Sequence, residues 1–197
     1  LIDTTSPSTP GKPTDAGAYT SSTSVRFNWT AATDSGSGIC SYDLQVGTTA
    51  GGNNVFNANV GNVLTKTVTG SNGQTLYARV RAHDRAGNVG PWSGNSDGIK
   101  VDTAKPRLTS VRSLDRRTVT VTFNEAVTNA QLASNYTCTG GLTISASVKL
   151  SNTQYSLTTT SQETRRVYTL TVKSGVKDLA GNLIDPAYSS GTFGQTE

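Results

Sequence analysis

The sequence predicts an all-β protein: two β-sandwiches in tandem, joined by a short linker that contains proline. Three observations carry this. Apolar residues recur at every second position in both halves, the mark of strands with one buried face. Charged residues make up only 15% of the chain, and Thr, Ser, Gly and Asn dominate the polar positions instead; Thr suits strands, while Gly and Asn suit turns. The third is an internal echo. Ile2-Asp3-Thr4-Thr5-Ser6-Pro7 and Val101-Asp102-Thr103-Ala104-Lys105-Pro106 both read apolar, Asp, Thr, two residues, Pro. They stand about 100 residues apart, the length of one small sandwich.

The echo sets the boundaries. Residues 1–10 read as the tail of a preceding module or a linker, 11–103 as the first sandwich and 104–197 as the second. Pro106 stops the last strand of the first, because its φ is fixed and it has no N–H. The chain has no Met and opens on Leu1, so it reads as a piece of a longer protein.

In order, Val25, Phe27 and Trp29 share one face of the first clear strand. Tyr42, Leu44 and Val46 alternate with Asp43 and Gln45. Leu76, Ala78, Val80 and Ala82 alternate with Tyr77, Arg79, Arg81 and His83. In the second half, Val119, Val121 and Phe123 alternate with threonines. Leu142–Ile144, Tyr155–Leu157 and Val167–Val172 follow as strands, and a short helical turn is expected near Ala130–Ser134. Asp84-Arg85-Ala86-Gly87-Asn88 and Asp178-Leu179-Ala180-Gly181-Asn182 form a second echo. Asp can bond backbone two residues on and Gly can take positive φ, so both read as tight corners.

Bulk properties narrow the function classes. The net charge of +4 comes from scattered Lys and Arg with no run of five, so no nucleic-acid partner is expected. No stretch approaches the ~20 apolar residues of a membrane span. Cys40 and Cys138, one in each half, alternate in phase with apolar neighbours and read as buried thiols. A disulfide between the two halves stays open as the alternative.

Around Ser24-Val25-Arg26-Phe27-Asn28-Trp29, Gly38-Ile39, Tyr42-Asp43-Leu44 and Tyr77-Ala78-Arg79-Val80-Arg81-Ala82, residues 11–101 resemble a fibronectin type III domain. Trp29 stands where that family has its core anchor. The family's corner tyrosine is replaced by Leu76, and Tyr77 falls on the outward face. Residues 104–197 are similar to a bacterial Ig-like domain of S-layer and other secreted proteins. The resemblance rests on Val119–Val127, Asn135-Tyr136, Tyr168–Val172 and Asp178–Asn182. These resemblances imply two immunoglobulin-like sandwiches. They also imply a secreted or cell-surface bacterial setting, since such modules accompany polysaccharide-degrading enzymes and adhesins.

No catalytic residues are expected. A glycosidase needs two carboxylates about 5–10 Å apart across a cleft, whereas the acids here mostly fall in turns. The binding candidate is the outward row Tyr77, Arg79, Arg81 and His83, with Trp92 expected to start the next strand over an arginine and Asp43 facing it from the neighbouring strand. That row reads as a stiffening ladder or as a sugar-stacking platform. No cofactor is expected; calcium is the cation the acidic turns suit, with Asp178, Asn182 and Asp185 the first place to look and Asp34–Gly38 and Asp84–Asn88 the others.

The leading expectation is a pair of non-catalytic spacer modules from a large secreted bacterial protein, a polysaccharide-degrading enzyme by preference. A carbohydrate-binding module and an adhesin fragment are the alternatives. The expected partners are the neighbouring domains of the parent, with polysaccharide as ligand under the second reading, and the chain is expected to be a monomer.

Overall fold

The computed structural model describes residues 2–194. These residues hold sixteen strands and two short 3-10 helices, in two compact units that divide between Thr103 and Ala104. The predicted all-β class is what the structure has.

The first unit contains β1 (Tyr19–Thr20), β2 (Ser24–Asn28), β3 (Ile39–Gly47), β4 (Phe56–Asn59), β5 (Thr65–Thr69), β6 (Thr75–Asp84) and β7 (Ile99–Val101). One sheet runs β1-β7-β6-β3-β4 and the other pairs β2 with β5. Along β6, buried and half-buried residues alternate without a break, because successive side chains on a strand point to opposite faces. Leu76, Ala78, Val80 and Ala82 point inward and meet Tyr42, Leu44 and Val46 of β3, with Val25, Phe27 and Trp29 in the same core. Trp29 meets Tyr42 edge-on, 6.1 Å between ring centroids. The Tyr42 hydroxyl accepts the Ala32 N–H at 3.1 Å. Leu76 is fully buried where a corner tyrosine was missing.

Residues before β1 also belong to this unit. Gly11 N donates to Thr30 O, and Thr14 exchanges both backbone bonds with Asn28. Pro10 and Pro13 are buried beside these pairs, on an edge where proline's missing N–H costs no ladder bond.

Cys40 departs from the period-two expectation. A register shift between Ile39 and Ser41 offsets the start of β3, so Cys40 is exposed rather than buried. Its Sγ lies 2.9 Å from Asp84 O as a donor. Cys138 is half-buried against the second core, and burial pushes its thiol up to about 11. Both cysteines are unbridged.

The second unit contains β8 (Leu108–Ser113), β9 (Thr118–Phe123), β10 (Val127–Thr128), β11 (Tyr136–Cys138), β12 (Ile144–Lys149), β13 (Gln154–Thr159), β14 (Val167–Val172), β15 (Lys177–Asp178) and β16 (Ser190–Gly194). Its sheets run β12-β13-β9-β8 and β11-β14-β16, with β10 paired to β15. Val119, Val121, Phe123, Leu157, Leu170 and Val172 supply much of the core. Three buried tyrosines each tie a hydroxyl to backbone: Tyr136 to Ala130 O (2.7 Å), Tyr155 to Val127 O (3.0 Å), and Tyr168 from Glu163 N (2.9 Å). A buried phenol needs such a partner. The helical turn expected at Ala130–Ser134 is a 3-10 turn at Ala133–Asn135.

Candidate functional site

The candidate face lies on β6, β3 and β4, and sheet register builds it. Arg81 is directly opposite Asp43, Arg79 opposite Gln45 and His83 opposite Ser41. On the far side of β3, Asp43 faces Asn59 and Gln45 faces Asn57. Outward residues that face each other across strands are within reach of hydrogen bonds.

Each polar group on this face finds a neighbour. Arg81 reaches Asp43 Oδ2 through Nε and Nη2, both at 3.0 Å. His83 Nε2 lies 2.8 Å from the same oxygen, and Asn59 donates to Oδ1 at 3.0 Å. Arg79 donates to Gln45 Oε1 at 2.9 Å, and Gln45 donates on to Asn57 at 3.2 Å. Trp92 takes both guanidiniums: Arg79 Cζ is 4.8 Å from its ring centroid and Arg81 Cζ is 4.6 Å.

Trp92 does not start a strand. It lies between β6 and β7, in a stretch that pairs with β6 by serines. Ser93 and Ser96 donate from their N–H groups to Val80 O and Ala78 O, while their hydroxyls accept the Val80 and Ala78 N–H groups, each at 3.0 Å. Gly90-Pro91 prevents regular pairing, and the hydroxyls replace the missing carbonyls. Tyr77 leaves the ladder. A Cβ on Gly98, which has φ of 94°, would lie 2.5 Å from Tyr77 Cε1, so this ring covers the Gly98 backbone instead of Trp92. Of the predicted row, Arg79, Arg81, Asp43, His83 and Trp92 come together. Asn57 and Asn59 were missed, since nothing local marks the partner strand's register.

Burial works to raise the Asp43 carboxyl, but the bonds from His83, Asn59 and Arg81 outweigh it and hold it below its usual 3.8. A depressed folded-state value means this contribution is complete above the unfolded carboxylate range and is lost as pH falls through the lower folded value. Asp43→Asn should therefore flatten the acid limb of the stability curve. Urea midpoints measured from about pH 5 down to pH 2 test this; an unchanged limb would refute the assignment.

Of the calcium candidates named first, Asp178 and Asn182 meet at one corner, while Asp185 is engaged at a turn of its own. Asp178 accepts Asn182 N on Oδ1 (2.8 Å) and Asn182 Nδ2 on Oδ2 (2.7 Å). Asp185 caps the 3-10 turn Pro186–Tyr188 by accepting Ala187 N, and it pairs with Arg107 at 3.3 Å. In the first unit the same corner recurs: Asn88 N and Nδ2 donate to Asp84 at 2.8 and 2.7 Å. Here a group the sequence reading did not assemble stands beside it. Oxygens of Asp3, Asp34 and Asp84 all lie within 4.8 Å of one another.

These features define a protein of paired immunoglobulin-like sandwiches. Residues 95–193 match the bacterial Ig-like domain family, and the chain belongs to it. Among solved structures it is similar to the N-terminal part of the bacterial S-layer protein SbsC (26% identity, 46% of this chain and 23% of that one, TM-score 0.41). It is similar also to the FN1–FN3 domains of chicken CNTN1 (16%, 96% and 67%, 0.38) and to chitinase ChiA74 from Bacillus thuringiensis (20%, 98% and 26%, 0.40). The chain thus spans about a quarter of the S-layer and chitinase chains. A comparison with curated proteins returns no match.

Proposed function

We propose that the chain is a pair of non-catalytic spacer modules in a large bacterial protein that is secreted or held at the cell surface. A polysaccharide-degrading enzyme is the parent we favour. The first module is then of fibronectin type III kind, and the partners of the pair are the domains on either side. Membership of the bacterial Ig-like family supports the setting. The observation that carries the spacer role is the state of the candidate face. Trp92 engages two guanidiniums, and the Asp43 carboxylate is shared by Arg81, His83 and Asn59. A sugar would have to displace these bonds before forming its own. The ladder therefore stiffens the sheet, with stacking of about 0.5–2 kcal/mol.

The test is depletion from solution by insoluble and soluble polysaccharides, with Trp92→Ala as the paired variant. The spacer reading expects no depletion of either protein and a Trp92→Ala loss of about 0.5–2 kcal/mol in stability. Retention of the parent protein that vanishes in Trp92→Ala would replace it with a carbohydrate-binding module.

A further inference from the structure

We propose that one end of the second unit binds a polymer of phosphate diesters, of the polyol phosphate kind that bacterial cell walls carry, through Arg116, Arg117 and Arg165. Residues 112–117 and 161–166 hold five arginines against two carboxylates, so most of the chain's net charge of +4 stands here. The arginines come from two places: β8 with its turn into β9, and the connection from β13 to β14. Folding ties the two together. Gln162 is 1% exposed. Its backbone N–H donates to Arg116 O at 2.7 Å, its Nε2 donates to Asp115 O at 3.1 Å, and its Oε1 accepts the Ser113 hydroxyl at 2.6 Å. Arg116 donates back, from Nε to Gln162 O (3.2 Å) and from Nη2 to Thr164 Oγ1 (3.1 Å).

Most of this charge is not cancelled where it stands. Arg166 is the paired member: it meets Glu163 at 2.7 Å and lies 5.4 Å from the centre of the Tyr168 ring. Asp115 uses Oδ1 to accept the backbone N–H of Arg117 at 2.7 Å. Among the described residues, no ion pair includes Arg112, Arg116, Arg117 or Arg165, and all four are exposed.

A second observation singles out Arg165. Its φ is 63°, a left-handed backbone that residues other than glycine seldom adopt. Strain of this sort collects where a side chain serves a ligand. The fold gives no reason for a long cation at this exposed position.

Guanidinium forks match phosphate oxygens two at a time, and loops already tied together lose little freedom on binding. A phosphate diester keeps its charge at every pH at which the protein is folded. Nucleic acid fits less well. This end offers no exposed ring for a base to stack on, since Tyr168 is 2% exposed, and three arginines are few for a duplex. The choice of a wall polymer rests on the cell-surface setting proposed above. The polysaccharide test reads the Trp92 face of the first unit, so the two readings fail separately.

The whole chain is titrated with purified polyglycerol phosphate and followed by calorimetry and by the amide NMR signals of residues 114–117 and 161–166. Saturable binding that moves these signals and weakens as salt rises is expected. Arg117→Gln with Arg165→Gln should weaken it by about tenfold or more. Lys12→Gln with Lys100→Gln removes the same charge from exposed positions of the first unit and should leave affinity unchanged. Arg165→Gly should also weaken binding, yet melt no lower than the unaltered chain, because glycine relieves the strained backbone. Absence of binding, an equal loss in both double variants, or equal affinity for sheared duplex DNA or phosphatidylglycerol vesicles would overturn the site.

Discussion

Leu44→Ala is expected to destabilise the first unit by about 2–5 kcal/mol, toward the upper end of that range. Leu44 is fully buried at the middle of β3. Its register neighbours are Val80 on β6 and Ala58 on β4. The inward positions flanking Val80 are Ala78 and Ala82. Bulk on β3 thus faces small residues on β6, and alanines cannot extend into a void. The cost of a cavity depends on how far its walls collapse, and here they collapse little. Urea denaturation followed by tryptophan fluorescence reads the unit directly, because Trp29 and Trp92 both belong to it. Leu44→Met, which conserves volume, should cost less than about 1.5 kcal/mol. A Leu44→Ala loss below about 1 kcal/mol would mean that this core is not the packed centre of the sandwich.

The strands were legible because their information is local. A residue's face follows from its neighbour's face, so Leu76 to Ala82 could be assigned inward from the sequence alone, and so could Val119, Val121 and Phe123. Alternation fails where the backbone changes phase. Nothing in Ile39-Cys40-Ser41 announces a register shift, and Cys40 consequently turned out. Trp92 was assigned to a strand although Gly90-Pro91 breaks regular pairing; the serines at 93 and 96 were the available signal, since their hydroxyls can replace carbonyl partners. Tyr77 was placed beside Trp92 by strand direction, while the positive φ at Gly98 opens a different seat for its ring. Convergence of distant residues was the least legible. Asp3, Asp34 and Asp84 meet only after three segments have folded, although the first echo contained Asp3 and the second contained Asp84.

The second echo also predicts a large effect. Asp178→Ala should cost the second unit about 2–3 kcal/mol, because hydrogen bonds to a charged acceptor contribute more than neutral ones. Asp178 is 3% exposed and receives both the backbone and the side-chain N–H of Asn182. Its own N–H returns to Asn182 O at 3.1 Å, closing the corner. Gly181, at φ of 91°, makes that return within five residues. Alanine removes both acceptors that hold the Asn182 backbone and side-chain N–H groups. Asp178→Asn is the sharper variant. Its amide oxygen can still accept the Asn182 N–H, but its NH₂ then faces the Asn182 NH₂, donor against donor. It should therefore fall between the parent and Asp178→Ala. Far-UV circular dichroism under denaturant gives the ordering, and hydrogen exchange at the Asn182 amide locates the loss. Asparagine behaving like the native aspartate would show that charge and the second acceptor contribute nothing to the corner. The recurring Asp and Asn would then be turn formers alone.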